Sequence, residues 1–167
     1  MRLPEDFSPE ERGRRAGELF RQGYNCCQAV VLAFADLLSD SYGLTPETLA
    51  AACSGFGGGM ARMREVCGSF SGCVMMAGFI SPASDTSDHA ARGVNYALVQ
   101  QFAEEFRSRN GGSIVCRELL GIAPGTKEGP VPSERTPDFY RKRPCAAIIA
   151  NAAQIVAEYL VSPGNSF

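Results

Sequence analysis

The sequence predicts an all-α protein, a compact single-domain bundle of about six or seven helices. Three observations predict it. No run alternates apolar and polar residues as a half-buried strand must. Helix-start signals recur before apolar segments, at Ser8-Pro9-Glu10-Glu11, Asn25, Thr45-Pro46-Glu47 and Ser87-Asp88. Residues 88–109 repeat Val94, Leu98, Phe102 and Phe106 on one side, against Gln101, Glu104, Glu105 and Arg107 on the other, as an amphipathic helix does. The 167 residues suffice for one core, and no internal repeat divides them.

Residues 1–8 read as an irregular lead. Ser8 caps the first helix, with Pro9 at its first position and two acids in its first turn. It runs to about Gln22 with Ala16, Leu19 and Phe20 inward, and Gly23 ends it. Asn25 caps a second helix, 26–38, which has apolar residues all round (Ala29, Val30, Val31, Leu32, Phe34, Leu37). Such a helix is buried and central. Tyr42-Gly43 closes that segment, and Thr45 starts a short helix through Cys53. Gly55-Phe56-Gly57-Gly58-Gly59 is a loop whose backbone can take positive φ or approach a neighbour closely. Arg62, Arg64 and Glu65 lead into a helix over 66–80. There Gly68 and Gly72 share one face, which can touch another backbone.

Ser81-Pro82-Ala83-Ser84-Asp85 is a turn before the amphipathic helix, which Asn110-Gly111-Gly112 terminates. Ser113 caps a short helix, 114–120, carrying Cys116. Residues 122–144 are rich in Pro, Gly and charge and read as a long surface loop, of a length that often marks function. Pro144-Cys145 opens the last helix, 145–161, with Asn151, Gln154 and Glu158 on one face. Residues 162–167 read as a frayed tail.

The formal net charge is −2, with no block of like charges, which argues against nucleic acid as a partner. No apolar run approaches the ~20 residues of a membrane span, so the chain is not expected to be membrane-embedded. Met1-Arg2-Leu3-Pro4-Glu5-Asp6 lacks the apolar segment of a signal peptide. A cytoplasmic location is therefore expected, where thiols stay reduced.

Seven cysteines in such a chain need a reason: Cys26, Cys27, Cys53, Cys67, Cys73, Cys116 and Cys145. Metal binding or redox work explains them better than a disulfide framework. There is no Cys-x-x-Cys and one histidine. A zinc finger, a zinc ribbon and a thioredoxin-type dithiol are thereby excluded. Any sulfur site must be assembled from distant segments.

Helix position sorts the sulfurs. Cys26, Cys67, Cys116 and Cys145 each fall in or beside the first turn of a predicted helix. Unpaired N–H groups and the positive end of the dipole favour a thiolate there. Arg62 and Arg64 near Cys67, and Arg117 or Arg143 near the other two, would add to that effect. Cys27 points about 100° away from Cys26. Cys53 lies near a helix C-terminus, where the dipole disfavours a thiolate, and Cys73 reads as a small core hydrophobe. Four converging thiolates would bind an iron–sulfur cluster or a soft metal ion. Two of them, such as Cys67 and Cys145, could instead cycle between dithiol and disulfide. A helical scaffold with inert buried cysteines is the third reading.

These residues resemble a known family. The pieces are Asn25-Cys26 before Gln28-Ala29-Val30, the loop Gly55–Met60, Cys67-Gly68-Ser69-Phe70-Ser71-Gly72, Cys116-Arg117-Glu118-Leu119-Leu120-Gly121, and Cys145 opening the final helix. Over about Gly23 to Leu160 the chain is similar to the C_GCAxxG_C_C family, whose members are grouped as redox-active proteins. The resemblance carries the family's four signature cysteines onto Cys26, Cys67, Cys116 and Cys145. Ser69 and Cys27 stand where the family usually has alanine. A related domain in split-Soret cytochromes implies an iron–sulfur centre. Without Cys-x-x-Cys-His, covalent haem c is not expected.

No strand precedes the glycine loop and no Gly-Lys-Ser/Thr follows it, so no nucleotide is expected. Gly57, Gly58 and Gly68 are instead candidates for close backbone approach to a cofactor. His89 reads as a surface residue. Met60 and Met63 could supply thioether ligands, whereas Met75 and Met76 read as core. Lys127, Arg135, Arg141, Lys142 and Arg143 make the late loop basic, either as solvated charges or as a cap on the sulfur site. A redox partner or metal donor is implied but not named. The Gly68/Gly72 face and the apolar helices allow a homodimer.

Overall fold

The computed structural model describes residues 1–164, so Asn165–Phe167 of the expected frayed tail lie outside the described residues. Nine α-helices are present among the described residues, and no strand. They are α1 (Pro9–Arg21), α2 (Cys26–Leu32), α3 (Ala35–Tyr42), α4 (Pro46–Ala52), α5 (Gly68–Ile80), α6 (His89–Arg109), α7 (Cys116–Leu119), α8 (Pro137–Lys142) and α9 (Cys145–Val161). A 3₁₀ turn, Ser54–Phe56, follows α4.

The predicted caps are in place. Ser8 accepts from the Glu11 N–H, Asn25 from Gln28, Thr45 from Thr48 and Asp88 from Ala91. α2 and α5 lie at the centre, with α1 and α9 packed antiparallel beside them and α6 across α5 and α9. One contiguous core runs through them, from Ala16 and Phe20 to Val156 and Leu160.

Five expectations are corrected. The predicted helix 26–38 is two helices, broken at Ala33-Phe34, where Phe34 sits at φ −113°, ψ 17°. The cause is Arg12, buried in α1. It donates to the Ala33 carbonyl at 2.7 Å and to both Asp36 carboxylate oxygens at 2.5 and 2.6 Å. Its guanidinium thus satisfies a carbonyl freed by the break and binds the acid in the first turn of α3. α5 begins at Gly68 rather than 66, because Val66 pairs with Val115 in an isolated antiparallel bridge. For the same reason α7 begins at Cys116 rather than 114. The stretch 122–144 is not all loop: Thr136 caps α8, with Pro137 in its first turn. Val94 is 61% exposed, although Leu98, Phe102 and Phe106 are buried as predicted. At this end α6 meets α5 through Asn95, which donates to the Ala77 and Ser81 carbonyls, and Val94 beside it faces outward.

Gly68 and Gly72 face α2. A Cβ on Gly72 would stand 2.7 Å from Val30 Cβ, and one on Gly68 would stand 2.7 Å from the Phe56 carbonyl oxygen. The face that suggested a dimer is therefore spent inside the chain. Gly78, in the same helix, would meet nothing within 4 Å.

Gly72→Ala is expected to cost about 1–3 kcal/mol through overpacking. Gly78→Ala is expected to gain about 0.5–1 kcal/mol through helix propensity. Urea denaturation of the two variants checks the opposite signs. A second expectation concerns Asp36. Burial pushes its carboxyl up, and the hydrogen bonds and charge of Arg12 more than reverse this, leaving it below its ordinary 3.8. A lowered carboxylate contributes stability that is present above the unfolded value and lost as pH falls through the folded one. Arg12→Leu should therefore destabilise by about 2 kcal/mol at neutral pH, leaving the Ala33 carbonyl and Asp36 unpaired. Denaturation curves at pH 7 and pH 3 should show the gap from the parent protein narrowing at the lower pH.

Candidate functional site

The bridge between Val66 and Val115 builds half of the site. The Cys67 N–H donates to the Ile114 carbonyl at 2.8 Å, and the Cys116 N–H to the Glu65 carbonyl at 2.7 Å. Two helix starts separated by 49 positions in sequence are thereby held side by side, with Cys67 as N-cap of α5 and Cys116 first in α7. Cys26 opens α2, directly against Gly68, where a Cβ would lie 3.1 Å from Cys26 Cβ. Cys145 opens α9.

All four sulfur-bearing residues line one cavity of about 490 Å³. Cys67 and Cys116 are 7% and 6% exposed, and Cys26 and Cys145 are half-buried. Gly57 and Gly58 also line it. Gly68 does not: it serves by letting Cys26 come close.

The cavity wall has an unusual backbone. Gly58, Gly59, Met60, Ala61 and Arg62 follow one another at φ 65°, 70°, 59°, 47° and 68°. Three of these five carry side chains, and each costs on the order of 1 kcal/mol in the left-handed region. Hydrogen bonds hold the turn: Ala61 N–H to Gly55 at 2.8 Å, Arg62 to Gly57 at 3.1 Å and Glu65 to Gly59 at 3.1 Å. Gly59 must lack a side chain, because a Cβ there would stand 2.6 Å from Cys116 Cβ.

The turn aims two arginines inward. Arg64 is buried and ion-pairs with Glu128, and its Nη1 lies 3.9 Å from Cys116 Sγ. Arg62 donates to the Gly129 carbonyl at 2.8 Å and pairs with Glu128 at 2.9 Å. Residues 128–135 are thereby drawn over the cavity, and Pro130, Pro132, Ser133 and Arg135 join its lining. Arg135 lies 4.4 Å over the Phe20 ring and Arg143 lies 4.7 Å over Phe139. The charged residues lining the cavity are Arg62, Arg64, Arg135 and Arg143, with no Asp or Glu among the described residues. Arg117, expected near a sulfur, instead pairs with Glu65 at the surface. His89 is exposed, as expected.

The thiols themselves depart from expectation. Burial pushes Cys67 up to about 11, aided by Cys26. Ser69, in the first turn, pulls it the other way, so the helix start does act, but burial outweighs it. Burial, with Cys26 and Cys67 as neighbours, pushes Cys145 up to about 12. Cys116 is also raised by burial, partly offset by Arg64. These three are thiols, not thiolates, at neutral pH. Desolvation of a charged sulfur costs more than one turn of helix returns.

The other cysteines go elsewhere. Cys73 bonds to the Ala152 carbonyl at 3.5 Å within the core, as a small hydrophobe would. Cys27 and Cys53 are fully buried.

Gly59 falls in the loop read for close backbone approach, whereas sequence reasoning missed the role of Ser69 and the Val66–Val115 bridge. The bridge has no pattern long enough to read, and Ser69 was legible only as a small residue. Among the described residues, no three of His, Cys, Asp and Glu are gathered where they could hold a metal ion, and no helix is long and apolar enough to cross a membrane.

One comparison with known proteins is informative. A family model described as "Putative redox-active protein (C_GCAxxG_C_C)" matches residues 24–159. No curated protein and no solved structure matches the chain. The matched span contains the four cysteines of the cavity, the glycine loop and the arginines that line it. With most of its length accounted for by that model, the chain belongs to the C_GCAxxG_C_C family.

Proposed function

We propose that this is a redox-active protein whose working site is the cysteine-lined cavity. In this reading Cys26, Cys67, Cys116 and Cys145 hold an iron–sulfur cluster or a soft metal ion there, for electron transfer or metal handling. One observation carries the reading: four sulfurs from four helix starts, distant in sequence, border a single cavity.

The donor set suits the group, since four thiols are the usual ligands of clusters and soft metals. Among the described residues no three such side chains are gathered as a preformed metal site, so binding would require the four to draw together. When bound, such a group supplies one-electron exchange with a redox partner.

The chain's own residues do the rest. Four arginines offset the negative charge that four thiolates would bring. Burial of Cys67 and Cys116 keeps water from the sulfurs. Because the thiols are protonated in this pocket, loading must release protons, so affinity rises with pH. Gly57 and Gly58 let the wall pack closely on Asn25, Arg62 and Arg64.

A metal-free dithiol is the second reading, with Cys67 and Cys145 cycling to a disulfide. It is supported by Cys145 lying near enough to Cys67 for the two sulfurs to interact.

Anaerobic purification with iron, sulfide and zinc analysis and a visible spectrum separates the two. The first reading expects bound metal, visible absorption for a cluster, and loss of both in Cys67→Ser and Cys116→Ser. A colourless, metal-free protein that loses about two free thiols on mild oxidation, and none in Cys145→Ser, would establish the second instead. Inert thiols and no metal would leave only a helical scaffold.

A further inference from the structure

We propose that the cavity binds a small organic anion, its carboxylates on the arginines and its apolar body on the walls, and that Glu128 holds the anion's place until it enters. This rests on the reading above only in taking the cavity as the working site, and it names the class of molecule admitted there.

The charge of the cavity is out of keeping with the chain. The formal net charge is −2, yet Arg62, Arg64, Arg135 and Arg143 line the cavity with no acid beside them among the described residues. Arg64 reaches a sulfur, Cys116 Sγ. The other three guanidiniums are engaged with oxygens or rings instead. Arg135 and Arg143 both stand over the Phe139 ring, at 4.9 and 4.7 Å. Arg135 also donates to the Phe20 and Tyr24 carbonyls at 3.5 and 3.4 Å, which carry no formal charge. Asp138, between the two in sequence, pairs with Arg141 and Lys142. A half-buried cation without a counter-charge is unfavourable, and an acidic group in the cavity would supply one.

Glu128 serves Arg62 and Arg64 poorly. Both converge on a single oxygen: Oε2 lies 2.9 Å from Arg62 Nη2 and 3.1 Å from Arg64 Nε. A guanidinium pairs best when two of its N–H groups take the two carboxylate oxygens side by side, and this arrangement denies that to both arginines. A ligand carboxylate can do better. Glu128 lies on the cover, which polar ties hold down. Arg62 donates to the Gly129 carbonyl at 2.8 Å and to the Ser133 hydroxyl at 3.2 Å. Val131, the large aliphatic side chain of the cover, is 76% exposed, so hydrophobic burial does little to keep it in place. An anion that takes Arg62 and Arg64 therefore loosens the cover as well. The volume of about 490 Å³ suits an organic molecule rather than an inorganic ion, and Phe20, Leu119, Leu120 and Ile148 offer it apolar surface.

The probe is isophthalate, a benzene ring with two carboxylates. Isophthalamide is its neutral twin, and inorganic phosphate carries charge without an apolar body. Isothermal titration of the full chain, as purified, should give isophthalate an affinity at least about tenfold above either control. The lysines of the chain are Lys127 and Lys142, so digestion at lysine reports the release of Glu128 through cleavage after Lys127, and saturating isophthalate should speed it. Glu128→Gln should bind isophthalate about tenfold tighter and be cut quickly with or without it. Glu134→Gln makes the same charge change at an exposed position of the same segment and should match the parent. Arg143→Gln should bind about tenfold more weakly. Failure of both the parent and Glu128→Gln to bind isophthalate would overturn the proposal. So would equal affinity for phosphate or the diamide, or a Lys127 site whose cleavage isophthalate leaves unchanged. Metal and thiol analysis of the same samples keeps the two readings apart. Isophthalate binding with inert thiols and no metal would sink the redox reading alone, and bound metal without isophthalate binding would sink this one alone.

Discussion

The absence of side chains at Gly59, Gly68 and Gly72 is the constraint on which the rest of the structure depends. At Gly72 the missing Cβ lets α5 lie on α2 at Val30, and at Gly68 it lets Cys26 stand beside the start of α5. At Gly59 it lets the left-handed turn pass over Cys116. Each of these contacts is closer than any Cβ would permit, and each places a cysteine or the helix that carries one. Hydrophobic burial holds such a bundle together without choosing among registers, since Val, Leu and Ala pack in many ways. A backbone-to-backbone approach has one register. The cavity is therefore a product of close packing around it rather than a gap left by poor packing.

That packing sets the electrostatics. A helix start offers a sulfur N–H groups and a partial positive charge worth about 0.3–1 kcal/mol at an exposed surface. Removing a charge from water costs several kcal/mol before compensation. Once α2, α5, α7 and α9 bring their first turns together, burial decides, and Cys67, Cys116 and Cys145 hold their protons. The four arginines at the wall are the compensation available if negative charge enters. Two of them, Arg62 and Arg64, are held by Glu128, and Arg64 also reaches Cys116 Sγ.

Much of this was legible in the sequence, and the boundary is physical. Caps were legible because they are local: Ser8, Asn25, Thr45 and Asp88 each bond within three residues. The buried stripe of α6 was legible at Leu98, Phe102 and Phe106 because it repeats, and illegible at Val94 because periodicity does not say where the partner surface stops. The break at Ala33 depends on Arg12, more than 20 positions away, so no local pattern carries it. α8 was hidden by its setting among prolines and charges, although Thr136-Pro137 is the same start signal that was read at Thr45-Pro46. The four cysteines could be grouped by their places at helix starts. Their protonation could not, because it depends on burial, which only the assembled core determines.

The left-handed turn is the last link. Met60, Ala61 and Arg62 occupy a region of φ that their side chains disfavour, and no bond within the turn demands that they do. What holds them is the combined grip of the Gly55 and Gly57 carbonyls on one side and Glu128 and Gly129 on the other. The same grip draws residues 128–135 over the cavity. Strain in the wall and closure of the cover are thus coupled through Arg62 and Arg64. Releasing Glu128 would free the cover and remove one of the two supports of the strained backbone. An anion entering among the arginines would compete with Glu128 for both guanidinium groups. The contact that closes the cavity is therefore also the contact that its contents are best placed to loosen.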